Sequence, residues 1–391
     1  MYSQSTSFTL NIIRSHILIL ATASLFLCCT RWSYIQAQKI IVPERWKTAV
    51  IDPRPLYRQD TLSICVLGDI MMHADQIRNA QINGSGHDFS SYFDLIEDRI
   101  KDADLAIANM EFTLAGKPYT GYPCFSAPDT LATYLADSGF DIFLAANNHI
   151  YDKGSKGAER TIEIYRKLQD SHGIRFTGIA GNEAEMERNN PLTVRIKGLK
   201  LALLNFTYGT NLGLDASWPR TNYTGEKEKI SEAFAKAEDN DADFVIALPH
   251  WGTEYRLRHS SAQEEFAEWL IEKGADFIIG AHPHVVQDSN MIEGVPVIYS
   301  LGNAVSNMSA TNTQIGLMAT IRIVRQGNGD IQTLPLVLEY LWCSRPGGYN
   351  NSYTVIPVKD YIGRKEEWLN TADYEKMTAT LERIRKETGI E

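Results

Sequence analysis

Positive charge is scarce in this chain. Lys and Arg number 38 against 48 Asp and Glu among 391 residues, a formal net charge of −10. The basic field with which proteins track a phosphate backbone is therefore missing, and nucleic acid is excluded as the expected partner. Cysteine is scarce as well: Cys28 and Cys29 stand together near the start, and Cys65, Cys124 and Cys343 are scattered. Such a set offers no disulfide framework and no Cys-x-x-Cys metal signature. Internal repeats and low-complexity tracts are absent, which excludes solenoids and compositional tails. The apolar run Ile17 to Cys29 falls short of the ~20 residues of a comfortable membrane span. What remains is a globular composition, 44% hydrophobic and 22% charged, with length for one large α/β domain or two smaller ones. An acidic protein that binds a phosphate or polyanion needs a strong local positive centre, and divalent cations supply one.

Arg14 and His16 precede the run Ile17 to Cys29, which contains no acidic residue. Residues 1–37 accordingly read as an export signal or signal anchor, with cleavage after Ala37 conceivable. Leu27 is too large to precede a lipoprotein cysteine. Residues 38–60, with Pro43, Pro53 and Pro55, read as a linker, residues 61–345 as the main domain, and 346–391 as a C-terminal extension with a surface helix at Ala372 to Lys386. Within the main domain, short apolar runs alternate with helical patterns, the sign of layered α/β structure. The spacing predicts strands at Leu62–Leu67, Leu105–Ala108, Asp141–Ala145, Leu199–Asn205, Phe244–Leu248, Phe277–Ile279 and Val297–Tyr299. It predicts helices at Phe93–Lys101, Thr130–Asp137, Gly157–Leu168, Glu226–Ala237 and Ala262–Lys273, and late antiparallel strands at Ile315–Val324 and Leu334–Leu341. Most strand runs are continuously apolar, so they belong to sheets covered on both faces.

Polar residues interrupt these runs at telling places. Five strands end in Gly68-Asp69 with His73, Asn109-Met110-Glu111, Asn147-Asn148-His149, Pro249-His250-Trp251 and Ala281-His282-Pro283-His284. The carboxyl ends of strands in an open α/β sheet converge on one edge, so five loops meet at one point. Taken singly, Asp69 equally suits a helix cap or turn, Glu111 a solvated loop and His149 or His250 a structural histidine; their joint order points to a metal site. Imidazole, carboxylate and carboxamide without thiolate suit Mn, Fe or Zn. Trp251, Tyr255 and Arg256 suit either a substrate wall carrying a cation or ordinary packing with a surface Arg, and Asn303 either hydrogen-bonds to the site or closes a turn.

The order of these residues is similar to that of calcineurin-like metallophosphoesterases. The words GDIMMH, NMEFTLAG, AANNHIYDKG, LPHWGTEY, IIGAHPHVVQ and YSLGNAVSN resemble more closely the CapA/PgsA family of poly-γ-glutamate capsule synthesis proteins, over roughly Leu62 to Leu341. The resemblance implies a four-layer α/β/β/α sandwich of metallophosphoesterase type and two divalent ions. Asp69, Glu111 and His284 would hold one, and Glu111, Asn148, His250 and His282 the other. It implies that His149 is the general acid and that Asp152 orients it. An anionic polymer or phosphoester would be the substrate and membrane-bound poly-γ-glutamate synthesis proteins the partners, at the cell envelope. Two departures from the phosphoesterase pattern stand out: its Asp-x-His is replaced here by Asp69 and His73, four apart, and its bridging Asp by Glu111. The export reading predicts that the full-length chain is found in the envelope or beyond it; cytoplasmic recovery with an intact amino terminus in fractionated cells contradicts it.

Overall fold

The computed structural model describes residues 60–82, 86–213, 217–326 and 331–391. The export-signal reading and nearly all of the linker lie outside the described residues. Among the described residues no helix is long and apolar enough to cross a membrane.

Successive side chains of a strand point to opposite faces, and that alternation sorts each apolar run into two layers. In β1 (Asp60–Ile70), Leu62, Ile64 and Val66 enter the apolar cluster between two sheets, whereas Cys65 and Leu67 enter a cluster on the outer face. The same division separates Leu105 and Ile107 from Ala106 and Ala108 in β2 (Leu105–Met110). The first sheet continues through β3 (Ile142–Leu144) and β4 (Arg175–Thr177), all parallel to β1. A two-stranded ribbon follows, β5 (Ile179–Ala180) with β8 (Arg220–Thr221). The second sheet has β6 (Leu192–Ile196) antiparallel to β7 (Leu199–Thr207), then β9 (Phe244–His250), β10 (Phe277–Ile279) and β12 (Val295–Ile298) parallel in turn, with β11 (Ser289–Ile292) antiparallel at the edge. In the first sheet β13 (Asn303–Val305) lies beside the end of β1, and β14 (Ile315–Arg325) pairs antiparallel with β1, with β15 (Ile331–Thr333) and with β16 (Val337–Ser344). The last of these pairs antiparallel with β17 (Thr354–Pro357).

Helices Asp129–Asp137 and Gly154–His172 bury Leu131, Leu135, Ile162 and Tyr165 against the outer face of the first sheet. Helices Lys227–Asp239 and Ser261–Glu272 bury Ile230, Phe234, Ala267 and Leu270 on the second. The result is the four-layer α/β/β/α sandwich implied by the resemblance. The helix Thr371–Thr388 adds Met377, Leu381 and Ile384 to the inter-sheet cluster.

Boundaries differ where tertiary packing outweighs local pattern. The helix expected from Phe93 begins only at Glu97, because Tyr92, Phe93 and Ile96 are buried as successive turns, with the Phe93 amide donating to the Tyr134 hydroxyl at 3.1 Å. The last long strand begins at Val337 rather than Leu334, in register with β14 from Thr320.

Candidate metal centre

The centre begins with a close approach of backbones. Gly68 lies so near β13 that a Cβ would sit 2.0 Å from the Gly302 carbonyl oxygen. The next amide, that of Asp69, donates to that same oxygen at 2.9 Å. Asp69 is thus fixed at the end of β1, fully buried, where it accepts from Asn109 Nδ2 at 2.7 Å and from the His282 amide at 3.3 Å. Its Oδ2 stands 3.2 Å from His284 Nδ1. Burial pushes this carboxyl up, but the hydrogen bond and charge of His284, the charge of His250 and the Asn109 amide together hold it below the usual range.

Glu111 follows β2 and is anchored by its amide to the Ile70 carbonyl at 3.1 Å. Its carboxylate oxygens are both buried, and neither receives a hydrogen bond from the described residues. Instead two imidazoles face Oε1, His250 Nε2 at 3.5 Å and His284 Nε2 at 3.6 Å. His250 ends β9, with Asn109 Nδ2 3.3 Å from its Nδ1, and that contact turns Nε2 toward Glu111 and toward Asn148 Oδ1 at 2.9 Å. Asn148 and His149 lie in the loop after β3. That loop is braced by Asn147, which donates to the Met110 carbonyl, and by Asn205, which accepts from the Ala146 amide, each at 2.8 Å.

His282 and His284 follow β10 with φ of 99° and 58°. Left-handed backbone at non-glycine residues costs on the order of 1–3 kcal/mol each and persists where surroundings enforce it, commonly at functional sites. His282 Nδ1 is buried without a partner. Burial, then the positive fields of His250, His284 and His149, push this imidazole's pKa well down. Burial also disfavours charge on His284, yet Glu111, the Asp69 bond and charge, and Glu254 outweigh it and raise its pKa to about 9. Among the described residues, three groups have ligand atoms that lie within 4.8 Å of one another inside each group: Asp69, Glu111 and His284; Glu111, His250 and His282; and Glu254, His282 and His284. An orphaned buried carboxylate and an orphaned imidazole nitrogen, among nitrogen and oxygen donors without thiolate, fit divalent transition ions.

Residues 63–308 match the family model described as Bacterial capsule synthesis protein PGA_cap. The chain belongs to this family. Among its relatives, the capsule biosynthesis protein CapA of Bacillus anthracis is 26% identical over 314 residues, 77% of this chain and 74% of that protein. The PGA biosynthesis protein CapA of Bacillus subtilis (strain 168) is 26% identical over 289 residues, 72% of each. Solved structures that align include the NAD nucleotidase of Haemophilus influenzae, at 13% identity and TM-score 0.42 over 73% of this chain. Another is a 5'-nucleotidase precursor from Thermus thermophilus, at 12% identity and TM-score 0.44 over 84%. The chain spans 59% of the length of each nucleotidase.

In this PGA_cap member the remaining sequence candidates occupy distinct places. His73 lies outside the three ligand groups: it caps the helix Ala74–Ala80, and its Nδ1 stands 3.1 Å from Gln76 Oε1 and 3.3 Å from the Asn307 amide. Burial pushes its pKa down to about 4. Trp251 takes the packing alternative of its two readings: its indole is buried in the outer core and donates to the Tyr299 carbonyl at 2.9 Å. Asn303 is likewise buried and positions His284, its Oδ1 3.1 Å from His284 Nδ1 and its Nδ2 donating to the Thr313 carbonyl at 2.9 Å. Tyr255 and Arg256 are exposed, with the Tyr255 ring 6.3 Å from that of His284. Asp152 meets His149, Oδ2 to Nδ1 at 2.8 Å, and also accepts from the Phe125 amide at 2.7 Å. Two contributors, Asn211 and Glu254, escaped the sequence reading, and a third, Asn109, was named there without a role. Asn109 contacts both Asp69 and His250, Asn211 braces Asn148 through its amide at 2.8 Å, and Glu254 faces the two loop histidines.

The raised pKa of His284 gives a signed pH dependence. Its proton stabilises the ion-free fold fully below the ordinary imidazole pKa, and that contribution is lost as pH rises through about 9. An ion coordinated by His284 would displace the same proton. Apparent Mn²⁺ affinity should therefore rise by up to about tenfold per pH unit between pH 7 and 9 and then level off. Calorimetry in buffers of different ionisation enthalpy should show roughly one proton released per chain near pH 7.5; affinity flat across that range contradicts the assignment.

Proposed function

We propose that this PGA_cap member is an exported capsule-synthesis protein whose strand-end loops hold two divalent ions and act on an anionic polymer or phosphoester. The names of its relatives support the capsule setting. Its own net charge of −10 supports the need for bound cations in order to attract such a substrate. Membrane-bound proteins of poly-γ-glutamate synthesis are the partners this reading calls for.

The observation that favours chemistry over binding alone is the buried pair His149 and Asp152. A site that merely holds ions needs no carboxylate behind a non-ligand histidine. With Asp152 accepting from Nδ1, Nε2 is the nitrogen left to exchange a proton, and Phe125 fixes the arrangement from two sides. Its amide holds Asp152, and its ring meets the imidazole edge-on at 4.6 Å. Mn, Fe or Zn ions, when bound, supply Lewis acidity and a hydroxide nucleophile near neutral pH. Asp69, Glu111, Asn148, His250, His282 and His284 would hold them. His149 would protonate the leaving oxygen, while Tyr208 (46% exposed) and Tyr255 (43% exposed) flank the approach and Arg256 offers a cation to a substrate carboxylate or phosphate.

His149→Ala should leave metal content nearly intact and lower turnover by about 10²- to 10⁴-fold, the usual range for lost general-acid help. The loss should be smaller for a nitrophenyl ester, whose leaving group needs no proton, than for an alkyl diester. Equal losses remove His149 from the acid role, and absence of turnover by metal-loaded wild-type protein on phosphoesters and polyglutamate leaves a polymer-binding module.

A further inference from the structure

Two of the ligand groups account for the ions unequally. Glu111, His250 and His282 stand with Asn148, whose Oδ1 is 2.9 Å from His250 Nε2, so four side chains serve one ion. Asp69, Glu111 and His284 serve the other with three. The histidine nearest in sequence, His73, is committed to the cap of its helix and lies outside every group, and the residue two beyond Asp69 is the buried Met71.

The third group contains the missing donor. Glu254 follows β9 in the word WGTEY, and the adjoining Tyr255 amide donates to the Pro283 carbonyl at 2.9 Å, which ties this loop to the turn between His282 and His284. Its carboxylate oxygen lies within 4.8 Å of ligand nitrogens on both histidines. The loop bends sharply there: Tyr255 has φ of 65° and Gly252 φ of 91°. A Cβ at Gly252 would meet the Gln263 side chain at 2.7 Å. Backbone enforced on both sides of a contact, at Tyr255 and at both histidines, marks an arrangement set by the site rather than by loop convenience.

We propose that Glu254 is a metal ligand of this centre, supplying with His284 the donor that the first strand lacks and standing at the solvent-facing side of the ion pair. Asp69, Glu111, His250, His282 and His284 are all buried, whereas Glu254 is half-buried. The inference rests on the two-ion reading above.

Titration of the full-length protein with Mn²⁺, followed by the electron paramagnetic resonance signal of the free ion, tests it without any activity measurement. Glu254→Gln keeps the size of the side chain and removes a strong ligand; Glu254→Asp keeps the charge but withdraws it by one methylene. Both variants should bind one of the two ions at least about tenfold more weakly than wild type, with cooperative unfolding retained in the ion-free state. Affinities within twofold of wild type for Glu254→Gln overturn the proposal. So does a weakened Glu254→Gln beside a normal Glu254→Asp, because a distant charge, not coordination, would then explain the effect. If Glu254→Gln fails to fold, Glu254→Asp decides alone by the same twofold criterion. Absence of Mn²⁺ binding by wild type removes the two-ion reading and this proposal together, an outcome distinct from normal binding by wild type and variants alike.

Discussion

A carboxylate with both oxygens buried and no hydrogen-bond donor is the constraint around which this fold is arranged. Stripping a carboxylate of water costs on the order of several kcal/mol even after relaxation, and protein interiors compensate such charges by pairing or by coordinating metal. Among the described residues Glu111 has no amide, hydroxyl or guanidinium to meet it; imidazole nitrogens 3.5 and 3.6 Å away are too distant for hydrogen bonds. Those separations leave the carboxylate paired by charge but not satisfied in geometry, and a cation among the same atoms resolves both deficits.

The sandwich makes this burial possible because two sheets contribute to one edge. Asp69 lies in β1 and Glu111 directly after β2 of the first sheet, while His250 ends β9 and His282 and His284 follow β10 of the second. Contacts of Asn109 with Asp69 and His250, and of the His282 amide with Asp69, close the seam between them. A rigid inter-sheet core of alternating Leu, Ile and Val residues holds the two edges in register. The strained turns at His282 and His284 therefore rest on packed strands, which can sustain backbone cost that a free loop would relax.

Much of this was legible in the sequence because the two signals that carry it are local. Apolar runs such as Ile64–Leu67 or Phe277–Ile279 announce doubly covered strands, and polar residues directly after them announce ligands on the sheet edge. What was not legible depends on direction and on topology. Trp251 adjoins His250 in sequence and Asn303 ends a separate apolar run, but only the pleat and the close packing around Gly280 and Gly302 send them inward, to the core and to His284. Glu254 lies four residues past His250, inside a loop with no strand pattern, and it becomes a candidate ligand only because the Tyr255 amide docks on Pro283. Its acidity, within a word already rich in site residues, was the available signal.

The most direct test is the metal content of purified full-length protein and of Glu111→Gln, by elemental analysis after equilibration with Mn²⁺ or Zn²⁺. Glutamine preserves the shape of the buried side chain and removes its charge, so the fold is retained while the shared ligand is lost. The account predicts two ions per chain in wild type and loss of both in the variant. Equal metal content in the two proteins would contradict it.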